Sequence, residues 1–233
     1  MAEPIGPEDS VIALPAGLPL LLCYITDRSQ FLGSEEQKQD QLLNKIAECA
    51  AAGVDYIQLR EKDLSIRALE RLAERAMKAL VVGARTKLLI NSRVDVAFAC
   101  GAHGVHLPAS DIPSSEARAL FTRAKRNSPV VIGSSCHSPE EAALAEAHGA
   151  DFALFGPVFE KNGQPNPHGY EGLRAVCHRT GIARIPMPVL ALGGVAAKNA
   201  EQCVRAGASG IAGIRLFQQY PAEEIVKKLR AIS

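Results

Sequence analysis

The chain has 233 residues, with 26 basic and 25 acidic side chains and a formal charge of +1, so no excess charge points to nucleic acid or an anionic membrane. Tryptophan is absent and aromatics are 5%, which argues against a base-stacking platform. No apolar stretch approaches the ~20 residues needed to cross a bilayer.

Residues 1–19 read as a loose N-terminal extension. They are acidic and Pro-rich, without the basic and apolar parts of a signal peptide, so the cytoplasm is the expected compartment. From residue 20 to 233, short apolar runs alternate with Ala-rich helical patterns. Strands are predicted at 20–26, 56–60, 87–91, 104–107, 130–134, 152–155, 189–192 and 210–214. Helical patterns are clear at 36–51, 65–82, 139–148, 199–206 and 221–232. Ser138 is placed as an N-cap, with Pro139 at the first helical position and acids behind it. Gly53, Gly101, Gly149 and Gly207 each follow a helical pattern and precede a strand, the place of a left-handed cap. Parallel strands need crossover helices, and eight strand–helix units predict a single-domain (β/α)8 barrel with its site at the carboxyl ends of the strands. A doubly wound sheet is the competitor; the loop at 27–34 lacks its Gly-rich fingerprint. The loop at 156–170 is long and reads as a structureless lid or binding loop. The loop at 181–188 lies at the opposite end and reads as a connector. The six cysteines make no CxxC spacing. Cys23, Cys100, Cys136, Cys177 and Cys203 sit in apolar or Ala-rich stretches, so reduced, mostly buried thiols are expected and a Cys-ligated zinc is not.

Strand-end residues carry the candidate chemistry. Side chains alternate along a strand, so Gln58, Arg60 and Lys62 are expected on one side, facing the barrel mouth. Two cations there invite an anion, unless they pair with Glu61 or Asp63 at the rim. Asn91 ends a strand and Ser135 follows one, where ligand contacts are expected. His106 reads equally as a ligand contact or a satisfied wall histidine. Asp111 is a weak metal candidate or a cap for the helix starting near Pro113. His137 follows a strand and precedes a helix; it is a candidate acid–base group, with cover of the helix N-terminus as the alternative. Gly193 and Gly194, with Gly213, Ile214 and Arg215, occupy the loops that cradle phosphate in such barrels.

Five stretches together resemble the thiamine phosphate synthase and TenI family: Gln58-Leu59-Arg60-Glu61-Lys62, Ile90-Asn91, Gly104-Val105-His106-Leu107, Phe155-Gly156-Pro157-Val158-Phe159 and Ala191-Leu192-Gly193-Gly194-Val195. The resemblance runs from about residue 20 onward and implies a barrel enzyme of thiamine biosynthesis. One branch, the synthase, joins a pyrimidine pyrophosphate to a thiazole phosphate with Mg2+. The other, a thiazole tautomerase, shifts a proton within a thiazole phosphate carboxylate and needs no metal.

Against the synthase pattern, Ser92 stands where a Mg2+-binding aspartate follows the strand-end asparagine, and a neutral oxygen is a poor substitute. The second metal aspartate matches Asp111. The pyrophosphate-holding Thr-x-Thr-Lys run is replaced by Glu160-Lys161-Asn162-Gly163-Gln164, which brings a negative charge. Leu107-Pro108-Ala109 replaces a Leu-Gly-Gln type exit. Ser135-Cys136-His137-Ser138 matches the tautomerase segment and places His137 on its acid–base histidine. In both branches the phosphate cradle falls on Gly194, Gly213 and Ile214, and Arg215 is an added cation for a phosphate or carboxylate. The expectation is therefore a tautomerase-type enzyme, with His137 moving the proton, Lys62 assisting, and Gln58, Arg60, Asn91, His106 and Ser135 lining the pocket. The synthase is second, and a non-catalytic ligand-binding barrel or another sugar-phosphate enzyme follows. The implied partner is a small phosphorylated thiazole, with homodimerisation as an option.

Overall fold

The four predicted glycine caps end their helices by one repeated device. Gly53, Gly101, Gly149 and Gly207 have φ of 88°, 69°, 73° and 96°, a region that L side chains enter only at a cost. In each case the next residue donates its N–H back to the helix: Val54 to Cys49, Ala102 to Ala97, Ala150 to Ala145 and Ala208 to Cys203, all at 3.0 Å. That is the Schellman closure. One residue on, the backbone N–H of Asp55, His103, Asp151 and Ser209 reaches a carbonyl of the preceding strand, at Leu22, Leu88, Ile132 and Val189. Three of these residues also use their side chains. Asp55 Oδ2 accepts from Leu22 N, His103 Nδ1 from Leu88 N and Asp151 Oδ2 from Ile132 N. Each helix end is thereby stitched to the amino-terminal end of the sheet.

A computed structural model describes residues 19–80, 85–124, 129–161, 163–166, 169–178 and 187–232. The barrel strands are β1 (Leu21–Ile25), β2 (Tyr56–Leu59), β3 (Lys87–Asn91), β4 (Gly104–Leu107), β5 (Val131–Cys136), β6 (Phe152–Phe155), β9 (Val189–Ala191) and β10 (Gly210–Gly213). They close in the order β1-β10-β9-β6-β5-β4-β3-β2, all pairs parallel. The remaining two, β7 (Glu160–Lys161) and β8 (Gln164–Pro165), are a small antiparallel hairpin. The outer layer holds α1 (Glu35–Ala51), α2 (Ile66–Ala79), α3 (Val94–Ala99), α4 (Ser114–Arg123), α5 (Pro139–Ala147), α6 (Gly169–Cys177), α7 (Ala200–Arg205), α8 (Arg215–Gln218) and α9 (Ala222–Arg230). The (β/α)8 barrel expected from the sequence is the fold.

Two apolar layers hold it. The larger lies between sheet and helices; the smaller fills the barrel with Cys23, Ile25, Leu89, Phe152, Leu154, Leu190 and Ala212. Ser138 caps α5 as expected, accepting from Glu141 N at 3.2 Å, with Pro139 in the first turn. None of the six cysteines is in a disulfide, and four of them are buried.

Three expectations are revised. β5 runs to Cys136 rather than residue 134, because its ladder with β6 continues through Ser135↔Leu154 and Cys136↔Phe155. The stretch 156–170 is not structureless: it folds into β7 and β8 and enters α6 at Gly169. α2 stops at Ala79. The predicted extension 1–19 and the connector at 181–188 fall almost wholly outside the described residues.

Two glycine substitutions separate strain from crowding. A methyl at Gly149 meets nothing within 4 Å, so Gly149→Ala carries only the positive-φ cost, about 1–2 kcal/mol. A methyl at Gly133 would lie 2.5 Å from both His106 Nδ1 and Phe152 Cζ. Gly133→Ala is expected to cost at least about 3 kcal/mol, beyond the usual overpacking penalty of 1–3. Urea unfolding of the two variants checks the order.

Candidate active site

The candidate residues meet at the carboxyl ends of the strands, where β1, β2, β3, β4 and β5 present their last side chains. Gln58 on β2 is 2% exposed, and its Nε2 donates to Asn91 Oδ1 on β3 at 2.8 Å. Its Oε1 is buried without a hydrogen-bond partner. A buried acceptor left unmatched costs ~1–3 kcal/mol, so a ligand N–H fits there. His106 on β4 is 1% exposed and lies 2.9 Å by its Nε2 from Ser135 Oγ on β5. Its ring packs against Phe152, which in turn stacks on Tyr56. Burial first, and the Arg60 charge second, pull the His106 pKa down to about 3. The ring is therefore neutral, a wall histidine tied to a half-buried serine.

β2 ends at Leu59, so the strand alternation that grouped three side chains stops short of Lys62. Gln58 is buried inside the mouth and Arg60 is half-buried, whereas Lys62 sits on the following turn and is exposed. The rim carboxylates do not pair with either cation. Arg28, only 5% exposed, takes both. Its Nη1 is 3.0 Å from Glu61 Oε2, its Nη2 2.6 Å from Asp63 Oδ2, and its Nε 2.6 Å from Glu35 Oε1. Glu61 also accepts from Thr26 Oγ1 at 2.6 Å and from Arg28 N, and Thr26 Oγ1 accepts from Arg60 N at 2.9 Å. Arg28 holds the exposed Asp63 and Glu35 carboxyls below their ordinary range, while burial pushes Glu61 up. Among the described residues, no carboxylate is bonded to Arg60 or Lys62. This hub was missed in the sequence, where 27–34 read only as a polar loop.

The phosphate candidates surround a cavity of 760 Å³ lined by Gly193, Gly194, Gly213, Ile214, Arg215 and Lys198, among others. Gly193 and Gly194 have φ of 97° and 69°. They also let the 156–160 segment dock: Val158 N donates to Leu192 O and Phe159 N to Gly193 O, both at 2.8 Å. A methyl at 193 would lie 2.6 Å from Pro157 Cα, and one at 194 would lie 2.6 Å from Glu160 Cβ. Arg215 is not an unengaged cation. It pairs with Glu160 at 2.8 Å, so the negative charge read as an obstacle to pyrophosphate is partly neutralised within the chain.

His137 is exposed just beyond β5. Its Nδ1 is 2.6 Å from the Gly156 carbonyl, which only accepts, so Nδ1 carries the hydrogen and Nε2 offers a lone pair in the neutral ring. The ring does not cover the α5 N-terminus; Glu141 Oε2 takes the His137 backbone N–H instead. Asp111 does not cap α4, whose N-cap is Pro113; its Oδ1 accepts from the adjacent Ile112 N. Ser92 has φ of 61° and accepts from Asn91 Nδ2 at 3.4 Å. No group of three His, Cys, Asp or Glu able to hold a metal occurs among the described residues, and no described helix is long and apolar enough to cross a membrane.

Fold and mouth together define a (β/α)8-barrel enzyme with its polar groups gathered on the carboxyl rim. The chain belongs to the thiamine monophosphate synthase (TMP-TENI) family, whose model matches residues 22–217. It is 42% identical over 194 residues to a putative thiamine-phosphate synthase of Geobacter sulfurreducens, covering 82% of this chain and 83% of that one. It is 35% identical over 213 residues to the thiamine-phosphate synthase of Chlorobium luteolum, covering 91% and 92%. The structure of thiamine phosphate pyrophosphorylase from Pyrococcus furiosus superposes with a TM-score of 0.72 at 30% identity, covering 91% of this chain and 95% of the other. The protein is accordingly a thiamine-biosynthesis enzyme.

The neutral His106 has a consequence for stability. Its folded pKa of about 3 lies below the ordinary 6.5. Between those values the unfolded chain binds more protons, so stability rises with pH and is lost as pH falls through that window. Between pH 6 and pH 5, the pH slope of the unfolding free energy of His106→Gln is expected to be shallower than wild type by up to about 1.4 kcal/mol per pH unit. Urea titrations at the two pH values measure it.

Proposed function

We propose that the protein is a thiamine phosphate synthase, coupling a pyrimidine pyrophosphate to a thiazole phosphate and releasing pyrophosphate. The observation that carries this reading is the pair of cations after β2. Arg28 occupies Glu61 and Asp63, which leaves Arg60 and Lys62 available to an anion at the mouth. The thiamine-phosphate synthase relatives support the same order of preference, reversing the one drawn from the sequence.

In this reading the thiazole phosphate sits on the backbone around Gly194, Gly213 and Ile214, where the chain leaves β9 and β10. Arg60, Lys62 and Ser135 hold the pyrophosphate. The Gln58 amide, pinned by Asn91, offers its unmatched Oε1 to an N–H of the pyrimidine. As the carbon–oxygen bond to pyrophosphate breaks, negative charge grows on the leaving group, and fixed cations stabilise it most at that point. The thiazole nitrogen then takes the freed carbon.

The residues fit Mg2+ only in a substrate-borne form. Asp111 is the one carboxylate at the expected positions, and Ser92 adds a neutral hydroxyl. One carboxylate with substrate phosphates is within the usual way Mg2+ is held. Held there, it would neutralise charge on the departing pyrophosphate.

A tautomerase remains the second reading, on a specific observation: the Nε2 lone pair of His137 is presented at the rim, with its Nδ1–H held by Gly156. The purified protein is to be incubated with both substrates, with and without Mg2+. Mg2+-dependent thiamine phosphate is expected, and Arg60→Ala is expected to lower kcat/KM by about 10²-fold. If no coupling occurs, and instead thiazole phosphate carboxylate is isomerised by wild type but not by His137→Ala, the tautomerase replaces the synthase.

Ser92→Asp gives a separate readout. It restores a carboxylate and suits positive φ better than serine. The Mg2+ concentration for half-maximal rate is expected to fall about tenfold, the scale of losing or gaining a carboxylate near a hard cation.

A further inference from the structure

We propose that His106 is a positioning residue that sets the polarity of Ser135: its Nε2–H donates to the serine oxygen, so the serine O–H is left to donate into the mouth, to an anionic ligand oxygen. The pyrophosphate as that anion rests on the synthase reading; the polarity of the serine does not.

The argument starts from the seat of the ring: with both nitrogens protonated it would bury an Nδ1–H that has no acceptor, so the ring has one N–H and one lone pair. Two arrangements are open. In one, Nδ1 carries the hydrogen and Nε2 accepts from Ser135. In the other, Nε2–H donates to Ser135 Oγ, 2.9 Å away, and Nδ1 is bare. Nδ1 is buried and has no hydrogen-bond partner. A buried N–H without an acceptor is among the rarest defects in proteins, whereas an under-used lone pair is better tolerated.

The neighbours of Nδ1 favour the bare nitrogen as well. A side chain at Gly133 would begin 2.5 Å from Nδ1 and 2.5 Å from Phe152 Cζ. In glycine that direction is filled by a Cα hydrogen, which lies between Nδ1 and the edge of the Phe152 ring. A C–H facing a lone pair is weakly attractive, and a C–H facing an N–H is not. Gly133, Phe152 and the β4–β5 register, in which His106 pairs with Gly133, build a seat for one tautomer.

The serine then has a single option. Its oxygen already receives a hydrogen from inside the barrel, so its own hydrogen faces the half-buried, ligand-accessible side.

Nitrogen-15 NMR of the wild-type protein reads the tautomer directly, with the His106→Gln spectrum assigning the signal. A protonated, pyrrole-like Nε2 and a pyridine-like Nδ1 are expected. A protonated Nδ1 overturns the proposal. Calorimetry with inorganic pyrophosphate tests the consequence. Ser135→Ala and His106→Gln are each expected to weaken binding about fivefold, and the double variant no further, because His106 acts through the serine. Unchanged affinity in Ser135→Ala, or additive losses in the double variant, overturns it. Pyrophosphate binding of this pattern without thiamine phosphate formation removes the synthase reading and leaves the polarity of Ser135 standing.

Discussion

Arg28 reaches Glu35, Glu61 and Asp63 from a site almost closed to solvent, and the chemistry of the mouth depends on that reach. A buried guanidinium must be matched, because an unpaired charge in low dielectric is far costlier than a paired one. By absorbing the carboxylates on either side of Lys62, it keeps the Gln58–Lys62 segment net positive toward the ligand. Glu61 meanwhile ties β1 to the end of β2 through Thr26, which also holds the Arg60 backbone. The same few bonds thus shape the rim and set its sign.

What the sequence made legible was local. A glycine after a helix, a serine–proline start and an apolar run of four or five residues each leave their mark within a turn or a strand. Their repetition was enough for the barrel. Long-range pairing leaves no such mark. Arg28 and Glu61 are 33 residues apart, Arg215 and Glu160 are 55 apart, and nothing in either stretch names its partner. The sequence left open whether Arg60 and Lys62 meet an anion or pair with Glu61 and Asp63, and it held no sign that Arg28 takes both carboxylates. The hairpin β7–β8 was invisible for a different reason: two-residue strands have no period to detect.

Gly193 and Gly194 show how one short motif can serve two demands. In the proposed phosphate turn, the pair needs bare backbone. As a docking surface for residues 156–160, it needs the same bareness, since a methyl at either position would strike Pro157 or Glu160. The sequence suggested the first demand because the position in the barrel is informative. The second emerged only when the docked segment was in place, with the Glu160–Arg215 bridge joining it to the start of α8.

The stitched helix ends lie at the amino-terminal end of the strands, and the polar rim lies at the other. The closures that run from Gly53, Gly101, Gly149 and Gly207 through Asp55, His103, Asp151 and Ser209 share no residue with the mouth. A change at the rim therefore need not be renegotiated at the seam. Ser92 and the bridged β7–β8 hairpin both lie on the rim side, apart from the bonds that close the barrel at the other end. One end of the molecule carries the closure of the fold, and the other is spared that task.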